Sequence, residues 1–177
     1  MSNKVLIVVN MLNDYINHDG ALSCGRQAMD IVPFVVEKIR GFVGEGLPVI
    51  FIMDAHDPED HEFKRFPVHC VYGTQGARLI KEIEHEVEEY SFVIKVLKSR
   101  YSGFFRTNLN TIIRDLDPGL IEVVGVCTNI CVLYTVEELS NRNYRVMVHR
   151  DGVASFDREA HRWALKQMET VLGAEVV

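Results

Sequence analysis

The sequence predicts an α/β fold, a three-layer α-β-α arrangement around a mostly parallel, Rossmann-like sheet. Three observations predict it. Short continuous apolar runs at 5–9, 47–53 and 120–126 read as strands buried on both faces. Segments with apolar residues at helical spacing lie between them. The alternation of the two implies β–α–β crossovers and a sheet covered on both sides.

Each element follows in chain order. Residues 5–9 form the first strand. Residues 28–43 carry Ile31, Phe34, Val35, Ile39 and Phe42 at helical spacing, and the pattern stops near Gly44. Residues 47–53 form the second strand, 76–83 a short helix and 91–96 the third strand. A helix at 107–116 is closed by Asp117-Pro118-Gly119. The fourth strand, 120–126, runs into a helix at 129–142. Residues 144–149 form the fifth strand, 158–172 the last helix and 174–177 a short final strand. The longest irregular stretch is 54–74, and a loop of that length in a compact domain is usually functional.

Composition bounds the function. At 177 residues the chain reads as one domain with a sizeable core. Its apolar fraction of 47% and charged fraction of 25% are ordinary for a soluble globular protein. A net charge of −6 argues against nucleic acid or an anionic membrane as partner. No apolar run is long enough to span a bilayer, and residues 1–9 lack the features of a secretory leader. Four cysteines without a framework spacing point to reduced thiols and a cytoplasmic setting. The expected partner is a small molecule, with self-association as a homo-oligomer left open.

The fold class locates the candidate site, because open α/β sheets bind ligands beyond the carboxyl ends of their strands. There the first strand meets Asn10, the second Asp54 and His56, the third Lys98, and the fourth Cys127 and Cys131. A cysteine in the first turn of a helix after a strand faces unpaired N–H groups and the positive end of the helix dipole. Both favour a thiolate. The arrangement is that of a strand–turn–helix elbow presenting a nucleophile. Its alternative is a buried structural cysteine.

The long loop holds Asp54, His56, His61 and His69 within sixteen residues, with Glu62 as an alternative to His61. Imidazole and carboxylate donors suit one divalent metal ion such as Zn, Fe or Mn.

Four motifs, in order, carry a resemblance. Val8-Val9-Asn10-Met11-Leu12-Asn13-Asp14-Tyr15 is similar to V-D-x-x-N-D-F. Asp54-Ala55-His56 through Phe66-Pro67-Val68-His69-Cys70 and Gly73-Thr74-Gln75-Gly76 resembles a metal-binding segment. Lys98-Ser99-Arg100-Tyr101-Ser102-Gly103-Phe104 resembles K-x-R-Y-S-A-F. Val124-Gly125-Val126-Cys127-Thr128-Asn129-Ile130-Cys131-Val132 resembles V-G-x-x-T-D-x-C-V. Together they resemble the isochorismatase-like cysteine hydrolases, and most of all the nicotinamidases. The resemblance implies the isochorismatase-like hydrolase fold and hydrolysis of an amide such as nicotinamide through a thioester. It casts Cys131 as nucleophile and Lys98 as its stabilising cation. It casts the N–H groups of Cys127 and Cys131 as the oxyanion hole. Tyr15, Phe66 and Tyr101 would line the ring pocket. It also implies a cis peptide between Val126 and Cys127, and a metal that holds the pyridine nitrogen.

One departure bears on activity. The position of the catalytic Asp, which relays the thiol proton to leaving ammonia, is Asn10. A neutral amide is not a base at physiological pH. The expectation is an otherwise complete site disabled at this step, with Asp14 the least fitting substitute. Asn129, in place of a second Asp, is expected to alter a local hydrogen bond only.

Overall fold

A computed structural model describes residues 3–177. Residues 1 and 2, the start of the segment read for a leader, lie outside them. Six strands form one sheet: β1 (Lys4–Val9), β2 (Val49–Asp54), β3 (Val93–Lys98), β4 (Leu120–Val126), β5 (Val146–Ala154) and β6 (Glu175–Val176). Their order is β3-β2-β1-β4-β5-β6, and every pairing is parallel.

Strand alternation divides the core between the two faces. Leu6, Val8, Phe51 and Met53 pack with Val35, Ile39 and Phe42 of α3 (Val32–Gly44) and Ile83 and Val87 of α4 (Lys81–Val87). Val5, Ile7, Val9, Ile50 and Ile52 face the other way. There they meet Ile113 of α5 (Leu109–Leu116), Leu139 of α6 (Leu133–Asn141) and Leu165 and Met168 of α7 (Arg158–Thr170). Two short helices, α1 (Asn13–Ile16) and α2 (Arg26–Asp30), complete the set. Among the described residues no helix is long and apolar enough to cross a membrane.

Four elements differ from expectation. The helix expected at 28–43 is two, α2 and α3, separated at Ile31. Pro33 is the reason: a proline fits the first turn of a helix but clashes inside one, so a new helix starts at Val32. The helix expected at 76–83 forms later, as α4. Residues 76–80 pair instead with the chain after β1, through a Leu12–Leu79 bridge and the Asn13 N–H donating to the Arg78 carbonyl. That tertiary pairing overrides local propensity. The helix expected from 129 begins as a π-helical turn, Thr128–Val132, before α6. The fifth strand runs on to Ala154 through an irregularity, with Val123 opposite Val148 but Gly125 opposite Val153.

Candidate active site

The carboxyl ends of β1, β2, β3 and β4, neighbours in the sheet, bring the candidate residues together. Asp54 ends β2 and Lys98 ends β3, and the two are register partners, so their side chains leave the sheet side by side. Asn10 follows β1 with φ +50°, a left-handed conformation that asparagine tolerates better than most residues. Its N–H donates to the Ile52 carbonyl at 2.8 Å, which keeps it against β2. β4 ends at Val126, the Val126–Cys127 peptide is cis, and the π-turn after it carries Cys131. Such turns recur at functional sites. Gly125 permits this approach: with φ +117°, a Cβ there would lie 2.0 Å from the Val9 carbonyl oxygen.

Cys131 Sγ accepts from two donors, Lys98 Nζ and Asn10 Nδ2, each at 3.3 Å. All three residues are buried. Asn10 is satisfied throughout: Nδ2 also donates to Asp54 Oδ2 at 2.8 Å, and Oδ1 accepts from the Asp54 N–H at 2.9 Å. Lys98 Nζ pairs with Asp54 Oδ1 and donates to the Arg100 carbonyl at 2.9 Å. Tyr15 donates its hydroxyl to Asp54 Oδ2 at 2.6 Å. Burial pushes the Cys131 thiol up to about 12; Lys98 opposes this, and Asp54 and Cys127 add to it. Burial would lower the Lys98 ammonium, but Asp54 and Cys131 outweigh it and raise the pKa. Burial likewise works against the Asp54 carboxylate, and Lys98 overcomes it to hold the carboxyl below its ordinary value. At neutral pH the set therefore rests as thiol, ammonium and carboxylate.

Asp54 also joins a second group. One ligand atom each from Asp54, His56 and His69 lies within 4.8 Å of the others, and all three residues are buried. His56 Nδ1 is bonded to Asp60 Oδ2 at 3.1 Å, and His69 Nδ1 to the Pro67 carbonyl at 2.7 Å. With those nitrogens as donors, each Nε2 is left with a free lone pair. Both Nε2 atoms and Glu62 Oε2 are buried without a hydrogen-bond partner. Buried polar atoms are rarely orphaned, and the two Nε2 atoms beside the Asp54 carboxylate fit a divalent cation. Burial raises the Glu62 carboxyl; His56 and His69 oppose the rise, and the nearby Asp54 adds to it.

Neither His61 nor Glu62 belongs to the Asp54–His56–His69 group, and the two differ in burial. The two begin a 3₁₀ turn, His61–Lys64, whose cap Asp60 accepts the Glu62 N–H at 2.8 Å. That turn directs Glu62 inward and leaves His61 exposed to solvent. Two residues absent from the expected set sit behind His56. Arg100 Nη1 holds both Asp60 oxygens at 2.9 Å, and Asp60 in turn orients His56. Only the arginine in K-x-R-Y hinted at this, because its partner lies forty positions away.

Tyr15, Phe66 and Tyr101 line a cavity of about 20 Å³ beside Cys127 and Cys131, together with Leu22, Ile130 and Phe156. That volume holds roughly one water. A ring-sized ligand requires the wall to open, and Phe156, 41% exposed, is its least packed member. A cleft of about 700 Å³ between α2, α3, β5 and α7 shares no residue with the expected site. Asp14 lies away from the sulfur: its carboxylate accepts the N–H groups of Cys70 at 2.7 Å and Ala21 at 3.3 Å, tying loops together. Asn129 Oδ1 accepts from Ser155 Oγ at 2.5 Å.

A parallel α/β sheet with a cysteine, an ammonium and a carboxylate–imidazole group at its carboxyl rim defines the class of fold and site. The chain belongs to the isochorismatase domain family, whose pattern matches residues 4–177. It is 35% identical to the isochorismatase family protein PncA of Bacillus subtilis, over 98% of both chains. A crystal structure of nicotinamidase/pyrazinamidase PncA from Bacillus subtilis superposes with a TM-score of 0.94 at 33% identity, covering all of both chains. Pyrococcus horikoshii pyrazinamidase in complex with zinc superposes at 0.87, with 30% identity over 99% of this chain and 98% of that one. A probable inactive nicotinamidase of Arabidopsis thaliana is 28% identical over 96% of this chain and 89% of its own.

Proposed function

We propose that this chain is a nicotinamidase-type amidohydrolase whose turnover is throttled at position 10. The observation that carries the reading is the double contact on Cys131: its sulfur lies 3.3 Å from both Lys98 Nζ and Asn10 Nδ2. In the proposed reaction the Cys131 sulfur attacks the carboxamide carbon of nicotinamide or a similar amide. A C–S bond forms, the C–N bond breaks and ammonia leaves with the proton that the thiol gave up. Water then releases nicotinate from the thioester. The N–H groups of Cys127 and Cys131 are assigned to the oxyanion, and a donor of this kind typically contributes about 3 kcal/mol. Tyr15, Phe66 and Tyr101 are assigned to the ring.

Asp54, His56 and His69, with Glu62 as fourth donor, would hold one divalent cation. Bound there, it would supply a Lewis-acid contact to a ring nitrogen and so fix the substrate's orientation. The chain's own residues then lack one function. Asn10 cannot carry the proton from sulfur to nitrogen, Lys98 is already an ammonium, and the Asp54 oxygens are engaged by Lys98, Tyr15 and Asn10. Loss of general acid–base help costs on the order of 10²–10⁴ in rate.

Ammonia release from nicotinamide by the parent chain and by Asn10→Asp tests this. A rise of at least about 100-fold in the variant is expected. Equal rates would discard the assignment of position 10. Asn10 also favours a second reading, a protein that binds the amide without hydrolysing it. Tight nicotinamide binding by calorimetry, with no release in either form, would select that reading.

A further inference from the structure

Two thiols outside the catalytic contacts lie side by side. Cys24 Sγ and Cys127 Sγ are 3.2 Å apart, both buried and both free. They join segments 103 positions apart: the loop between α1 and α2, and the elbow that presents Cys131. A disulfide bond measures about 2.05 Å, so the sulfurs need to approach by only about 1 Å. The loop side has room to give. Cys24 lies outside any helix or strand, and Gly25 after it has φ +79°. Its main chain is held by one bond, its N–H to the Tyr15 carbonyl at 2.8 Å. Cys127 lines the small cavity beside Cys131, whose exposed wall residue Phe156 marks the side from which a peroxide would enter.

From this geometry we infer that Cys24 and Cys127 are a modification site, a thiol pair that a hydroperoxide converts to a disulfide. The peroxide transfers one oxygen to a sulfur, giving a sulfenic acid and, from hydrogen peroxide, one water. The second thiol then attacks that sulfur, the S–O bond breaks and a second water leaves. Two thiols are oxidised by two electrons, and one peroxide is reduced to two waters. Contact with Cys24, then burial, raises the Cys127 thiol well above its ordinary range. The bond pins the loop that carries Leu22, a wall of the cavity, to the elbow that carries the nucleophile. It also closes a loop of more than a hundred residues, the kind of cross-link that restricts the unfolded chain most.

The test is peptide mapping under non-reducing conditions after treatment of the folded protein with excess hydrogen peroxide. It uses the parent chain, Cys131→Ser and Cys24→Ala. The expected result is a Cys24–Cys127 linked peptide in the parent and in Cys131→Ser, lost on reduction and missing from Cys24→Ala. Oxidation should raise the parent's Tm by at least about 5 °C and leave that of Cys24→Ala unraised. A Cys127–Cys131 linkage would overturn the proposal. So would oxidation confined to Cys131, with Cys24 and Cys127 both still alkylated after unfolding.

Discussion

At the scale of single residues, position 10 is where the proposed impairment sits. Asn10 Nδ2 touches Asp54 Oδ2 at 2.8 Å, a distance at which two carboxylates repel. The amide makes this contact attractive; in the proposed function it also removes the group that would move the proton. Asp60 shows the other kind of influence. It touches neither the sulfur nor the cavity, yet it fixes which nitrogen of His56 is free. Partners of this sort typically change metal affinity 10–100-fold. Asp60→Ala is expected to weaken zinc binding by about that factor in calorimetry while the protein stays folded by circular dichroism. Unchanged affinity would leave Asp60 no positioning role.

At the scale of elements, strand ends and the turn after β4 do the placing. The Asp54–Lys98 register and the Gly125 contact with Val9 set the spacing of Cys131 from Asn10 and Lys98. Gly125→Ala combines an unfavourable φ with a 2.0 Å clash against backbone. It is expected to cost at least about 3 kcal/mol in denaturant unfolding. A cost below about 1 kcal/mol would mean that β1 and β4 give way easily. The same elements explain what was legible in sequence. Strands buried on both faces are continuous apolar runs, so the sheet and its carboxyl rim were visible, and Asn10, Asp54, Lys98 and Cys131 with them. The π-turn, the late start of α4 and the inward turn of Glu62 were not, because each depends on partners distant in sequence. Asp60 and Arg100, or Cys24 and Cys127, become neighbours only when the fold is complete.

At the scale of the whole molecule, a second charged cluster bears on stability. Glu122 on β4 is bonded to His149 Nε2 at 2.6 Å and Lys38 Nζ at 2.9 Å, with Lys4 Nζ at 3.8 Å. The His149 bond, against burial and together with Lys38, holds the Glu122 carboxyl down to about 2. Since the folded pKa lies below that of the unfolded chain, this contribution is fully present above the unfolded value of about 4.3. It is lost as the pH falls from there through about 2. Asp60 is likewise held to about 2, where the Glu62 N–H, His56 and Arg100 overcome the effect of burial, and it acts in the same window. Thermal scans should therefore show Tm falling between pH 5 and pH 2, less steeply in Glu122→Gln than in the parent. Parallel profiles would assign the acid sensitivity elsewhere.

In the proposed function, Cys131, Lys98 and position 10 act as one catalytic centre. The most direct measurement is ammonia release from nicotinamide by Asn10→Asp and by the double variant Asn10→Asp/Cys131→Ala. The gain from the new carboxylate is expected to vanish completely when the sulfur is removed. Activity that survives in the double variant would contradict this proposal.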